Sequence, residues 1–247
     1  MPMLTSIRSL MAATLLVGTA FVAAPAMAQD SSGISVTGNA AIVTEYRFRG
    51  VDLSGGDIAI QGGIDLSHDS GFYLGTWGSS LDEDTVGYGH TELDVYGGWT
   101  GNLTEAVAAD VGVLMYLYPN AGPGDFDYVE FYGSLSTTLG PVGGTLGVAY
   151  APEQDSLGGT DNFYVYTDLS AGIPNTPLSL TAHLGYTDGF LTYTDDSKAF
   201  DWSVGAAYAI TDKLSVGVSY IGVEGDRLPT RYDFTDDAVV GTLSASF

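Results

Sequence analysis

Leu214-Ser215-Val216-Gly217-Val218-Ser219-Tyr220 and, further along, Ala238-Val239-Val240-Gly241-Thr242-Leu243-Ser244-Ala245-Ser246-Phe247 decide the architecture. Successive side chains of a strand point to opposite faces. Leu214, Val216, Val218 and Tyr220 therefore share one face and Ser215, Gly217 and Ser219 the other. In the second stretch Val239, Leu243 and Phe247 oppose Val240, Thr242, Ser244 and Ser246. A face of Gly, Ser and Thr leaves space behind it, whereas a packed sandwich core needs bulk. Apolar faces turned out to lipid and small polar faces turned in to a lumen specify an all-β, transmembrane, antiparallel up-and-down β-barrel.

Working outward, the same period-two alternation recurs in segments of about ten residues bounded by Gly, Pro, Asn or Asp. It predicts twelve strands, over residues 34–48, 58–67, 72–79, 90–99, 106–118, 128–139, 142–150, 163–171, 178–186, 200–210, 214–220 and 238–247. An even count suits a single-chain bacterial barrel. The connections alternate between short (68–71, 100–102, 140–141, 173–177, 211–213) and long (50–57, 81–89, 119–127, 151–162, 187–199, 221–237). Tight periplasmic turns and long extracellular loops produce that alternation.

Charge placement follows the same parity. Arg47 and Arg49 point inward, as do Glu45, Asp65, Glu92, Asp94, Asp110, Glu130, Asp168 and Asp201, while Lys198, Lys213, Arg227 and Arg231 fall in connections. Glu105 alone has outward parity, which is tolerable if its strand begins after it. With Gln61, His90 and His183 these inward residues are the expected pore lining. The arginines either set the field of an open pore or neutralise buried carboxylates in a filled one. Outward aromatics gather near strand ends, as interfacial girdles do: Phe48, Tyr150, Phe163, Tyr186, Trp202 and Tyr220 at the extracellular side, Phe72, Trp99, Tyr208 and Phe247 at the periplasmic side.

Near the N-terminus Arg8 precedes an apolar run over residues 10–24, then Pro25 and the small-residue pattern Ala26-Met27-Ala28. This reads as a secretory signal, residues 1–28, cut after Ala28, because the run is too short for a spanning helix of about 20 residues. Residues 29–247 then form one barrel domain in the bacterial outer membrane. The composition agrees, with 34 Gly, 16 Tyr, 10 Phe, no Cys and a formal charge of -23. Without disulfides, an exported fold relies on burial and hydrogen bonding, which a closed barrel supplies. Only 7 basic residues argue against nucleic-acid binding.

Tyr46-Arg47-Phe48-Arg49-Gly50, Gln61-Gly62-Gly63-Ile64-Asp65, Ser70-Gly71-Phe72-Tyr73, Glu92-Leu93-Asp94-Val95-Tyr96, Tyr118-Pro119 and Tyr128-Val129-Glu130 resemble the TorF-type porin family, also called Gcw_chp. The likeness covers nearly all of the barrel region and is densest from Tyr46 to Glu130. It implies an outer-membrane porin and brings no catalytic residues. The loop Gly55-Gly56-Asp57-Ile58-Ala59 departs from the family's usual Pro after the acidic residue.

The function expected from these features is passive diffusion of small hydrophilic solutes or ions, cations preferred, through an acidic lumen. A non-conducting structural or adhesive barrel acting through acidic loops is the alternative. An enzyme would need a nucleophile and a base in reach, and none of His68, His90 and His183 has a partner that spacing identifies. Neither cofactor nor metal is expected, since Asp82-Glu83-Asp84, Asp195-Asp196 and Asp236-Asp237 lack calcium-loop spacing. Expected partners are outer-membrane lipid, lipopolysaccharide, and the barrel-assembly machinery through Phe247.

Overall fold

The computed structural model of the chain describes residues 28–29, 33–124 and 126–247. Apart from Ala28, the signal segment lies outside the described residues. Twelve strands form the barrel: β1 (Ile34–Val43), β2 (Ala59–His68), β3 (Phe72–Ser80), β4 (Thr91–Asn102), β5 (Val107–Leu117), β6 (Tyr128–Leu139), β7 (Val142–Gln154), β8 (Thr160–Gly172), β9 (Leu178–Gly189), β10 (Thr194–Thr211), β11 (Leu214–Arg227) and β12 (Ala238–Ser246). Each pairs antiparallel with its sequence neighbours, and β1 also pairs with β12, which closes the sheet without an edge. The seam is short, with Asn39–Val43 set against Ser246–Thr242. At its end Gly38 and Phe247 exchange backbone hydrogen bonds of 2.7 and 2.9 Å. The Phe247 ring lies where a Cβ on Gly38 would stand.

The parity reading holds along the wall. Ile34, Val36, Ile42, Ile60, Ile64 and Leu66 are exposed on the outer surface, while Ser35, Ala41, Val43, Ala59 and Gln61 on the opposite face are buried. Val218 and Leu243 are exposed and Ser219 and Ser244 buried, as their sequence spacing requires. Glu105 sits in the turn before β5 begins at Val107. Several strands run further, at the barrel end opposite Ile34 and Phe247, than their apolar stretches suggest. β7 extends to Gln154, where its side-chain amide closes on the backbone of Val129, and β10 and β11 stay paired up to Ala199 and Gly225. Polar residues continue a ladder readily once outside the apolar band.

The first strand departs from its predicted extent. It stops at Val43, not Phe48, and residues 44–58, expected to end in an extracellular loop at 50–57, turn into the barrel. Val43 and Ala59 are register partners, so this segment leaves and rejoins the wall at one level. A membrane-crossing strand needs only about 9–11 residues, so the remaining alternating residues were free to form something else. They form the protein's buried centre: Tyr46, Phe48, Val51 and Leu53 pack with Trp77, Tyr116, Tyr128 and Tyr164 from the wall.

Candidate functional site: the inner hairpin and the lumen wall

Within the 44–58 segment, Arg47–Phe48 pairs antiparallel with Val51–Asp52, leaving Arg49 and Gly50 as a two-residue turn. Their φ values of 49° and 80° are both positive, as a type I′ turn requires. Glycine is needed at position 50 for a second reason. A Cβ there would stand 2.3 Å from Val223 Cγ2 and 3.2 Å from Asp201 Cβ, so the turn presses its backbone against β10 and β11. Arg49 is a side chain in a region that L-residues seldom occupy. Such strain persists where surrounding contacts over-determine it.

Those contacts are the Arg49 side chain's own. It crosses the lumen to β6, where Nη2 lies 2.8 and 2.7 Å from the two Glu130 oxygens. Its guanidinium stands 4.2 Å from the Tyr164 ring centre and 4.8 Å from that of Phe48. Arg47 is gripped by the segment that precedes β12. It pairs with Glu45 and donates to Asp236 Oδ1 at 2.8 Å and to the backbone oxygens of Asp236 and Gly50 at 2.7 and 3.1 Å. The loop before β12 further bonds Phe234 O to Asp52 N at 2.9 Å and sets the Tyr232 hydroxyl on Asp52. Burial alone would lower both guanidinium pKa values, but the hydrogen bonds and charges of Asp236 and Glu45 at Arg47, and of Glu130 at Arg49, raise them. Burial raises the Glu45 pKa, opposed by Arg47.

Below and around the hairpin, most inward carboxylates meet a fixed donor. Tyr46 and Tyr118 donate to the two oxygens of Glu92 at 2.8 and 3.4 Å. Tyr96 donates to Asp65 at 2.5 Å and Tyr73 to Asp110 at 2.6 Å. His183 lies between Asp168 (Nδ1 to Oδ1 2.6 Å) and Asp201 (Nε2 to Oδ1 2.9 Å), with the Tyr164 hydroxyl 2.9 Å from Nε2. Among the described residues Asp94 is the exception, fully buried with no partner on either oxygen. The lumen is two-sided. Tyr73, Tyr96, Tyr116, Tyr132, Tyr164 and Tyr166 line β3 to β8, whereas Ser203, Ser215, Ser219, Thr242 and Ser244 line β10 to β12.

The structure thus brings Arg49 together with Glu130, Arg47 with Glu45, and His183 with Asp168 and Asp201, and it puts Glu92, Asp94, Asp65 and Asp110 on the inner face. Two expectations need correction. Phe48 is not on the lipid-facing surface. It is 8 % exposed and packs edge-on against Tyr116 at 5.7 Å, because the chain has left the wall before reaching it. His90 does not line the lumen: it precedes β4, is exposed, and lies 3.1 Å from its neighbour Thr91. Gln61 faces inward beside Ser79. Tyr46, Tyr118, Tyr232 and Asp236 were missed as partners, since parity cannot report contacts between a loop and an inward hairpin.

The remaining aromatics lie on the outer surface. Phe72, Tyr150, Phe163, Tyr208, Tyr220 and Phe247 are exposed and Trp99, Tyr186 and Trp202 half-buried. Tyr186 packs on Phe200 at 4.9 Å and Trp202 on Tyr220 at 5.3 Å.

A closed twelve-stranded antiparallel barrel with an apolar exterior and a polar, charged interior has the architecture of a membrane-spanning β-barrel. The chain belongs to the Gcw_chp family, described as a bacterial protein of unknown function, which matches residues 27–247. Among solved structures it is similar to the KdgM porin in complex with disordered oligogalacturonate, with 8% identity, a TM-score of 0.55, and 86% of this chain and 97% of that one covered. It is also similar to the COG4313 outer membrane channel from Pseudomonas putida F1, with 13% identity, a TM-score of 0.52, and 88% and 96% covered. At these identities the likeness shows the fold. Comparison with curated protein sequences gives no match.

Proposed function

We propose that this barrel is an outer-membrane porin passing small hydrophilic solutes or ions, with a preference for cations, and that the inner hairpin sets its bore. The observation that supports this is the charge balance of the lumen. Both inward arginines are already bound to carboxylates, and among the described residues Glu92, Asp65 and Asp110 are met by tyrosine hydroxyls and by no cationic side chain. A low-dielectric wall carrying excess negative charge concentrates cations. An oligogalacturonate, the polyanion in the KdgM complex, would be repelled by the same wall. On this reading no catalytic step is involved. Residues 1–28 are removed at export, the outer belt contacts lipid and lipopolysaccharide, and Phe247 is read by the assembly machinery.

A second reading, a non-conducting barrel with a structural or adhesive role, draws on the burial of the whole 46–54 stretch. Single-channel recording of the refolded barrel in a planar bilayer under a salt gradient separates the two. Discrete steps with a cation-favouring reversal potential support the porin. An anion-favouring potential overturns the selectivity, and silence from folded protein supports the second reading.

A further inference from the structure

We infer that Asp94 is the centre of a binding site for a small monovalent cation, held between its carboxylate and the rings of Tyr46, Trp77 and Tyr116. Asp94 is 0 % exposed, and neither carboxylate oxygen has a hydrogen-bond partner. Its neighbours show how differently the other carboxylates are treated. Glu92, two residues along the same face, receives two tyrosine hydroxyls, and Glu130 receives Arg49. Arg47 is committed to Glu45 and Asp236. An ionised carboxylate with neither donor nor counter-charge is not stable in such surroundings: it either keeps its proton or is neutralised by a bound cation. The rings beside it give a cation its place.

The surroundings indicate what kind. Trp77 on β3 and Tyr116 on β5 are the cross-strand partners of Asp94 on either side, so both stand on the same inward face. The Tyr46 ring of the hairpin lies 5.7 Å from that of Trp77. Aromatic faces attract cations electrostatically and replace part of a hydration shell. Calcium and magnesium instead demand six or more oxygen ligands. Among the described residues no three carboxylate or imidazole groups converge as a metal's ligands would. One uncompensated charge among rings suits an alkali or small ammonium ion.

This site rests on the cation-porin reading for its route of entry, but its test is separate. The refolded barrel is heated at fixed pH and ionic strength in sodium chloride, in methylammonium chloride, and in the chloride of the bulky cation N-methyl-D-glucamine. Sodium and methylammonium raise the unfolding midpoint over the bulky salt by roughly 2–4 °C when a few-fold above the dissociation constant. The rise disappears in Asp94→Asn and persists in Asp110→Asn, whose carboxylate already holds Tyr73. Equal midpoints in all three salts, or a rise surviving in Asp94→Asn, overturn the site. Should Asp94→Asn not refold, Trp77→Leu keeps the carboxylate and removes a ring. The methylammonium effect then falls, and an unchanged effect overturns the site. A barrel silent in bilayers that keeps the salt-specific rise loses the porin reading and keeps this one.

Discussion

Arg49 and Glu130 are joined across the lumen, hairpin to wall, with side chains only 4% and 3% exposed. Breaking a buried pair from one side leaves the other charge uncompensated, at a cost of about 3–5 kcal/mol. Arg49→Ala should lower the urea midpoint of the refolded barrel accordingly and enlarge its conductance as the hairpin loosens. The double variant Arg49→Ala/Glu130→Ala should be more stable than Arg49→Ala alone. Additive losses would show that the two residues act independently.

Gly50 makes a sharper steric prediction. Gly50→Ala places a methyl 2.3 Å from Val223 Cγ2 at a φ of 80°, an overpacking cost of about 1–3 kcal/mol in addition to the backbone strain. Adding Val223→Ala should recover the overpacking part and leave the backbone part. Denaturant midpoints of the three variants measure both.

On the outer wall, Val218 is exposed and its neighbour Gly217 faces the lumen. Val218→Arg should cost roughly 2–4 kcal/mol near the bilayer centre and impair refolding into lipid vesicles. Gly217→Arg should refold and shift the reversal potential toward anions. Identical behaviour of the two variants would refute the assigned faces.

Glu45 gives a pH dependence. Burial, opposed by Arg47, raises its pKa in the folded protein, so the folded state holds this proton more tightly than the unfolded chain. Its contribution is complete below the ordinary glutamate range and is lost as pH rises through the raised value. Glu45→Gln, which cannot ionise, should match the wild type in acid and exceed it at neutral pH in equilibrium urea titrations. A stability difference independent of pH would contradict this.

The wall was legible because lipid and lumen impose opposite chemistry on alternate residues, and twelve segments from Ile34 to Phe247 carry that imprint in full. The hairpin was not, although its residues were identified as important. Thr44 to Arg49 keeps the alternation, so it reads as more strand. Arg49-Gly50 lacks the Asn or Asp that usually marks a type I′ turn, and the strain at Arg49 is held by Glu130, 81 residues away. The one available signal was length, since 34–48 exceeds what a crossing strand needs. Phe48 was misplaced for this reason, and His90 because its strand begins one residue later.

The hairpin also follows directly from the strand at which the barrel closes. β1 meets β12 over only Asn39–Val43, and the next residue, Thr44, still bonds Gly241 on β12 before the chain turns inward. In assembly, the interior and the last zipper of the sheet therefore belong to one local event. The bonds that shut this seam thereby also fix the point from which residues 44–58 enter the interior.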